Sequence, residues 1–591
     1  MTLRRLISLF CATLALPGAD ALKVSKPGVY SGYSSPLYQD VAVNSQFIAA
    51  RDGTRLAATI YRPAVKGKAD TKPWPVLWEG TTSRGRRNPD GTIAYGAMAG
   101  RPSVPGGLTA MADLVKYGYV VVQVERRGQG ASMGAMRGYH DWTESLDAYD
   151  VTEWLAEQPW SNGRIGVFGC SNTGEAALHA AAAMPPHLRA IFPGCFSWNK
   201  FDGFYRGGIL ANYGTGPQSA PLSEGLKSIP VEEDEDDALL KKALQEHKRQ
   251  TNLLALWEGM PFRDSWSELT RSRFWVEGSV NTYQDAIERT GIGIYNFGGF
   301  QDDFRREQII AYSNLHNQSK LLIGPWKHCQ NEGFDLVTER LRFFDYWLKD
   351  VANGIMKEPP IYYYTSGAPA GKEWHSATQW PLPAGKPTPY YLLAGNQLGT
   401  QRPSSINLSD TLRVNYDVER EPRPGSFLMQ PPGPQDDKGI TYTTPALAAE
   451  MELTGHPIVH LWLSSTATDG HFFAYLEDVA PGGPATIVAE GRLRASLRAV
   501  GTAPYRSLEL PYHRSFAEDA KPLRQGQPNE LVFDMLPLSR VFPAGHKIRM
   551  TITGADPREK DRPETTPPPV VTIYRGGPYR SYVTLPVIPD H

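Results

Sequence analysis

The sequence predicts an α/β core, interrupted once by a helical block and followed by an all-β domain. Three observations carry this. Short apolar runs alternate with amphipathic helical stretches up to about residue 358, the pattern of strand–helix–strand units in a mostly parallel sheet. Beyond that point helical periodicity nearly disappears. The 591 residues also exceed what one hydrophobic core supports, since single domains usually stop at about 250 residues.

Composition narrows the function classes. With 41% hydrophobic and 21% charged residues the chain is ordinary for a globular protein. Sixty-one basic residues against 62 acidic ones leave a net charge of −1. Neither nucleic-acid phosphates nor anionic membranes find a basic excess to bind. A small neutral or weakly charged molecule is the expected partner, and homo-oligomerisation stays open.

Taken in order, residues 1–21 read as a signal peptide. Arg4 and Arg5 precede the apolar stretch Leu6 to Leu16, Pro17 and Gly18 break it, and Ala19-Asp20-Ala21 offers small residues for cleavage. About 11 apolar residues cannot cross a hydrocarbon core that needs roughly 20. Export to the periplasm or the medium is expected. Cys170, Cys195 and Cys329 would then remain in a compartment where disulfides persist, and an odd count leaves at least one unpaired within the chain.

Residues 45–196 form the first part of the core. Alternation around Arg51-Asp52-Gly53 predicts a hairpin, and Trp74 to Trp78, Tyr119 to Val124 and Ile165 to Phe168 read as buried parallel strands. Leu146 to Leu155 has helical spacing. Residues 197–289 are a helical block rich in Trp, placed as a lid. Its acidic run, Glu232 to Asp237, reads as a solvated helix start, where carboxylates suit the positive end of the dipole. The core resumes over 290–357 with Ile292 to Phe297, Leu321 to Ile323 and a helix around Arg340 to Lys349. Residues 358–591 show short alternating segments separated by Gly, Pro and Asp, as in a sandwich or jelly roll.

The chemistry centres on Gly169-Cys170-Ser171-Asn172-Thr173-Gly174, which joins an apolar strand to an Ala-rich helix. A serine at the apex of such a turn is a nucleophile elbow, exposing its hydroxyl above the sheet with a helix N-terminus aimed at the site. Serine is a weak nucleophile at neutral pH and needs a base and an acid to orient it, here in the order Ser, acid, His. His328 follows the strand run Leu321 to Trp326. Asp302 and Asp303, in Asn296 to Phe304, are both candidates for the acid on pattern alone. His140, ahead of any acid that follows the serine, and His179, on the elbow helix, read as surface or core residues without a catalytic part.

Together, Gly-x-Ser-x-x-Gly at 169–174, Gly299-Phe-Gln-Asp302 and Gly324-Pro-Trp-Lys-His328 resemble the cocaine esterase and X-Pro dipeptidyl-peptidase family of α/β hydrolases. Further matching pieces are Glu125-Arg-Arg-Gly128, Phe343 to Leu348, and Asp469-Gly-His-Phe472 through Val479. The resemblance implies an α/β-hydrolase core with a helical lid and a C-terminal jelly roll. It assigns Ser171 as nucleophile, His328 as base and Asp302 as its partner. Cleavage of an ester or amide through an acyl-enzyme follows, with no metal or other cofactor. The backbone N–H of Asn172 is the expected oxyanion donor. A tyrosine that supplies the second donor in cocaine-esterase-like members is absent from Glu79 to Arg84, and Ser83 or a backbone amide nearby is the substitute.

Where amino-acid ester hydrolases place carboxylates for a substrate ammonium, this chain has Asp303, Phe304 and Arg305. Amino-acid ester specificity is therefore disfavoured, and esters are favoured over peptide bonds because no family-specific site for a peptide amino terminus is seen. Acylase or X-Pro peptidase activity is the alternative, and a small-ester or glycan binding protein with an inactive triad is the reading from outside enzymology. Cys170 precedes the nucleophile and Cys329 follows the base, an arrangement similar to that of tannases and feruloyl esterases, where a disulfide ties these segments together. A Cys170–Cys329 bridge is the expectation. Reduced thiols or a Cys170–Cys195 bridge are the alternatives.

Overall fold

The computed structural model describes residues 23–90, 92–95, 112–211, 225–250, 252–403, 406–418 and 433–589, so the expected leader at 1–21 lies outside the described residues. Its first sheet starts with the hairpin β1 (Asp40–Ala49) and β2 (Arg55–Val65), which turns through Gly53 at φ +82°. Then come β3 (Trp74–Thr81), β4 (Val120–Glu125), β5 (Ser161–Cys170), β6 (Leu188–Gly194), β7 (Gly293–Gly299), β8 (Ser319–Gly324), β9 (Ile361–Tyr364) and β10 (Trp374–Ala377). Their spatial order is β10-β9-β8-β7-β6-β5-β3-β4-β2-β1, and the strands from β3 to β9 run parallel. The carboxyl ends of β5, β6, β7 and β8 therefore open along one edge.

Both faces of this sheet are covered, as parallel sheets require. Val76 and Trp78 of β3 point toward α1 (Trp142–Ala156) and α2 (Asn172–Ala182), in a core with Val151, Leu155, Ala177 and Leu178. Leu77, one residue out of phase, joins the opposite core. Asp141 caps α1, its side chain accepting from the Thr143 and Glu144 amides.

The block between β6 and β7 holds α3 (Lys200–Phe204), α4 (Ala238–His247), α5 (Leu253–Glu258) and α6 (Gln284–Thr290). Its acidic run does serve the start of α4, through the exposed Asp236, which accepts from the Ala238 amide at 3.1 Å, and through a buried residue. Asp234, 5% exposed, accepts from the amides of Leu239 at 2.9 Å and Leu240 at 2.8 Å. After β7 and β8 come α7 (Arg305–Asn314) and α8 (Leu336–Lys349). Leu341, Phe344 and Leu348, spaced three and four apart, press α8 onto the face that carries Leu77.

The C-terminal domain is all β. Strands such as Ile458–Ser465, His471–Val479, Ala485–Arg494 and Lys547–Thr553 pair antiparallel around a second core with Leu461, Leu463, Leu476, Ile548 and Ile552. Two short strands beyond the expected division at 357/358 still pair with the first sheet. β9 and β10 extend the first sheet, because Ile361 and Tyr363 are buried against β8, and these short strands lack following helices that would mark them in the sequence. The β domain abuts the edge that carries α7. Arg306 Nε donates to Asp534 at 2.7 Å, Arg305 Nε donates to the Pro537 carbonyl at 2.7 Å, and Arg206 pairs with Glu490.

Candidate active site

Ser171 sits between β5 and α2 at φ 61°, ψ −127°, a region where non-glycine residues are rare and strained. The packing that enforces this turn leaves no room on either side of it. A Cβ on Gly169 would stand 2.3 Å from the Thr173 carbonyl carbon, and one on Gly174 would stand 2.4 Å from the Gly194 oxygen. The turn is also bonded across strands, with the Ser171 amide donating to Gly194 O at 2.9 Å. Within it, Thr173 Oγ1 accepts from the Cys170 amide at 2.8 Å. Asn172 opens α2, so its N–H has no acceptor within the helix.

Asp302 and His328 come from the loops after β7 and β8, neighbouring strands whose ends bring the two residues together. The Nδ1 of His328 stands 3.1 and 3.2 Å from the two carboxylate oxygens of Asp302. Asp302 has no exposed surface and also accepts from the Phe304 amide at 3.1 Å. Burial alone would raise its pKa, but the imidazole, by charge and hydrogen bond, holds it below the usual carboxylate range. For His328 burial opposes the charged ring, and Asp302 outweighs it, with a smaller push from Asp303, so the imidazole is more basic than an ordinary histidine. Asp303 has a buried oxygen without a protein partner and lies in a cluster with Glu490 and several arginines. Pattern alone left the two aspartates equal; the imidazole bonds to Asp302.

Cys170 and Cys329 are bridged, with Cα atoms 5.8 Å apart. This rules out a Cys170–Cys195 bridge and reduced thiols in the structure, and leaves Cys195 buried and free. Ser171 and His328, one residue from each half-cystine, are thereby held at one edge of the sheet.

Ser83 lies in a tight turn after β3. Its hydroxyl donates to the Gly85 carbonyl at 3.0 Å, and Thr81 Oγ1 bonds its carbonyl at 3.0 Å. His140 and His179 stack at 5.4 Å inside the core, outside the Asp302–His328 contact. Burial and the charge of Lys200 press His179 down to about 4, which keeps it neutral. Two groups near the elbow had no local signal in the sequence. Glu79, near the end of β3, is raised by burial to about 7, against the opposing pull of Thr173 and Arg340. The Cys195 sulfur lies within 4.8 Å of the acid–base pair, and only the convergence of parallel strand ends would have pointed to it.

Residues 52–330 match the family model described as X-Pro dipeptidyl-peptidase (S15 family), and residues 353–584 match that of the X-Pro dipeptidyl-peptidase C-terminal non-catalytic domain. The chain belongs to this family. Among its relatives, a Mycobacterium bovis protein named "Putative serine esterase" is 31% identical, aligned over 97% of this chain and 99% of that protein. The cocaine esterase of a Rhodococcus species is 26% identical over 92% of this chain and 97% of its own. A solved CocE/NonD family hydrolase from Staphylococcus aureus superposes with a TM-score of 0.72 at 21% identity, covering 93% of this chain and 94% of its own. This X-Pro dipeptidyl-peptidase family member is a serine hydrolase with an α/β-hydrolase core and a separate all-β domain. Among its described residues no helix is long and apolar enough to cross a membrane.

Proposed function

We propose that the protein is an exported esterase in which Ser171 attacks the carbonyl of a small acyl substrate. His328 takes the serine proton and returns it to the leaving alcohol, Asp302 orients the imidazole and balances its charge, and water releases the acid from the acyl-enzyme. The observation that carries this is the His328–Asp302 hydrogen bond at 3.1 Å, tied through Cys329–Cys170 to the strained serine elbow.

The Asn172 N–H at the start of α2 is the first oxyanion donor. Ser83 is the second, and to serve it must turn its hydroxyl away from Gly85. Export rests on the leader sequence and agrees with a disulfide at the site. Esters are favoured over X-Pro peptides because no site for a peptide amino terminus is recognised in the sequence, and the buried Arg305 beside Asp302 does not suit a substrate ammonium.

A fluorophosphonate probe should label the wild type at Ser171 and leave Ser171→Ala unlabelled. A panel of acyl and aryl esters, matched amides and X-Pro anilides then separates the readings. Turnover of X-Pro anilides above the esters would overturn the esterase assignment, and absence of labelling on folded wild type would overturn the triad.

A further inference from the structure

Cys195 follows β6 in left-handed backbone, φ +50°, 2% exposed and outside the disulfide. Its Sγ, a carboxylate oxygen of Asp302 and a ring nitrogen of His328 all lie within 4.8 Å of one another. The sulfur accepts the Cys329 N–H at 3.4 Å. The thiol faces the Asp302 carboxylate across this same short span and helps to keep that carboxyl ionised. One atom thus connects the buried acid to the peptide that follows the base, and that peptide is bonded through Cys170 to the nucleophile's strand.

We propose that Cys195 is a positioning residue, whose thiol completes the hydrogen-bond shell of Asp302 and whose sulfur holds the Cys329 amide, fixing the acid against the base. The proposal rests on the Ser171–His328–Asp302 reading. A buried carboxylate needs its acceptor sites satisfied, and Asp302, bonded to His328 and the Phe304 amide, keeps acceptor capacity for the thiol that stands within 4.8 Å of it. A thiol is a weak donor, so it orients the carboxylate while leaving most of its charge for the imidazole. Burial and the adjacent Asp302 charge push the thiol up, which keeps the donor proton in place. The other charged groups facing the pair are Asp303 and Arg305, both from the loop and helix that follow Asp302.

The sign follows. Without the thiol, Asp302 carries more charge toward His328, the imidazolium is favoured, and the acidic limb of the rate profile moves to higher pH. The test measures kcat/KM and the rate of fluorophosphonate labelling against pH for wild type, Cys195→Ala, Cys195→Gly and Cys195→Ser, each with the Cys170–Cys329 bridge confirmed by nonreduced mass mapping. Glycine suits the left-handed backbone, so it supplies a second donor-free variant should alanine fail to fold. Both donor-free variants should shift the limb upward by about half a pH unit or more and lower kcat with KM unchanged, while serine, which keeps a donor, restores the limb toward wild type. An unmoved limb in either folded donor-free variant overturns the proposal. Wild type that does not label at Ser171 overturns the triad instead.

Discussion

Cys170 and Cys329, the chain neighbours of Ser171 and His328, stand 5.8 Å apart at their Cα atoms and are covalently joined across 159 residues. In a chain-entropy model a closure of this length stabilises by up to about 5 kcal/mol. The double variant Cys170→Ser/Cys329→Ser should unfold at lower denaturant, and below its own transition should still lose kcat, since the serine and histidine loops are then joined only by packing. Equilibrium unfolding and kcat at low temperature check the two halves of this expectation. An unchanged unfolding midpoint would show that the bridge constrains nothing.

Ser171→Ala should leave a folded protein whose kcat is lower by roughly 10⁴- to 10⁶-fold. A companion variant reads the backbone. At φ 61°, ψ −127° an alanine keeps the strained Cβ, whereas glycine relieves about 1–3 kcal/mol, offset in part by about 1 kcal/mol of extra freedom in the unfolded chain. Ser171→Gly should therefore melt no lower than Ser171→Ala. A clearly lower melting temperature for the glycine variant would mean the elbow is not strained.

Local features of this fold were legible because each has a local cause. The elbow shows as two glycines around Ser171, and both are required by carbonyls within 2.4 Å of where a Cβ would sit. Helix α8 shows as apolar spacing. What escaped depends on contacts distant in sequence. Nothing near residue 361 says that β9 pairs with β8 and belongs to the first sheet. Nothing near Cys195 says that its sulfur meets Asp302 and the Cys329 amide; only the parallel order β5-β6-β7-β8 sets these strand ends side by side. The acidic run before α4 was legible as a helix start, but which carboxylate turns inward was not, because that choice is made by packing around Asp234.

Gly174→Ala tests the elbow from its second side. The added Cβ would meet the Gly194 carbonyl oxygen at 2.4 Å and the Gly194 nitrogen at 2.9 Å, backbone atoms that cannot swing aside. Gly194 O is also the acceptor for the Ser171 amide. Moving it should displace the serine, so esterase kcat should fall more than the thermal midpoint explains. Full activity with a normal melting curve would show that α2 and β6 have room this packing denies.

The His328–Asp302 pair makes a prediction about pH whose sign is fixed by its two shifts, which express one interaction seen from each partner. The folded pKa of His328 is raised, so its share of stability is fully present below the unfolded value of about 6.5 and is lost as pH rises through the folded value. Asp302 is lowered, so its share is present above the unfolded value of about 3.9 and is lost as pH falls through the folded one. The ion pair is therefore worth most between these two values. Urea midpoints of wild type and Asp302→Asn should differ more at pH 5 than at pH 9, and an equal gap at both would sink the assignment. The same substitution removes the group that raises the imidazole, so the acidic limb of kcat/KM should move to lower pH even as kcat falls by roughly 10³- to 10⁴-fold. A limb that stays in place would mean that His328 is not the titrating base.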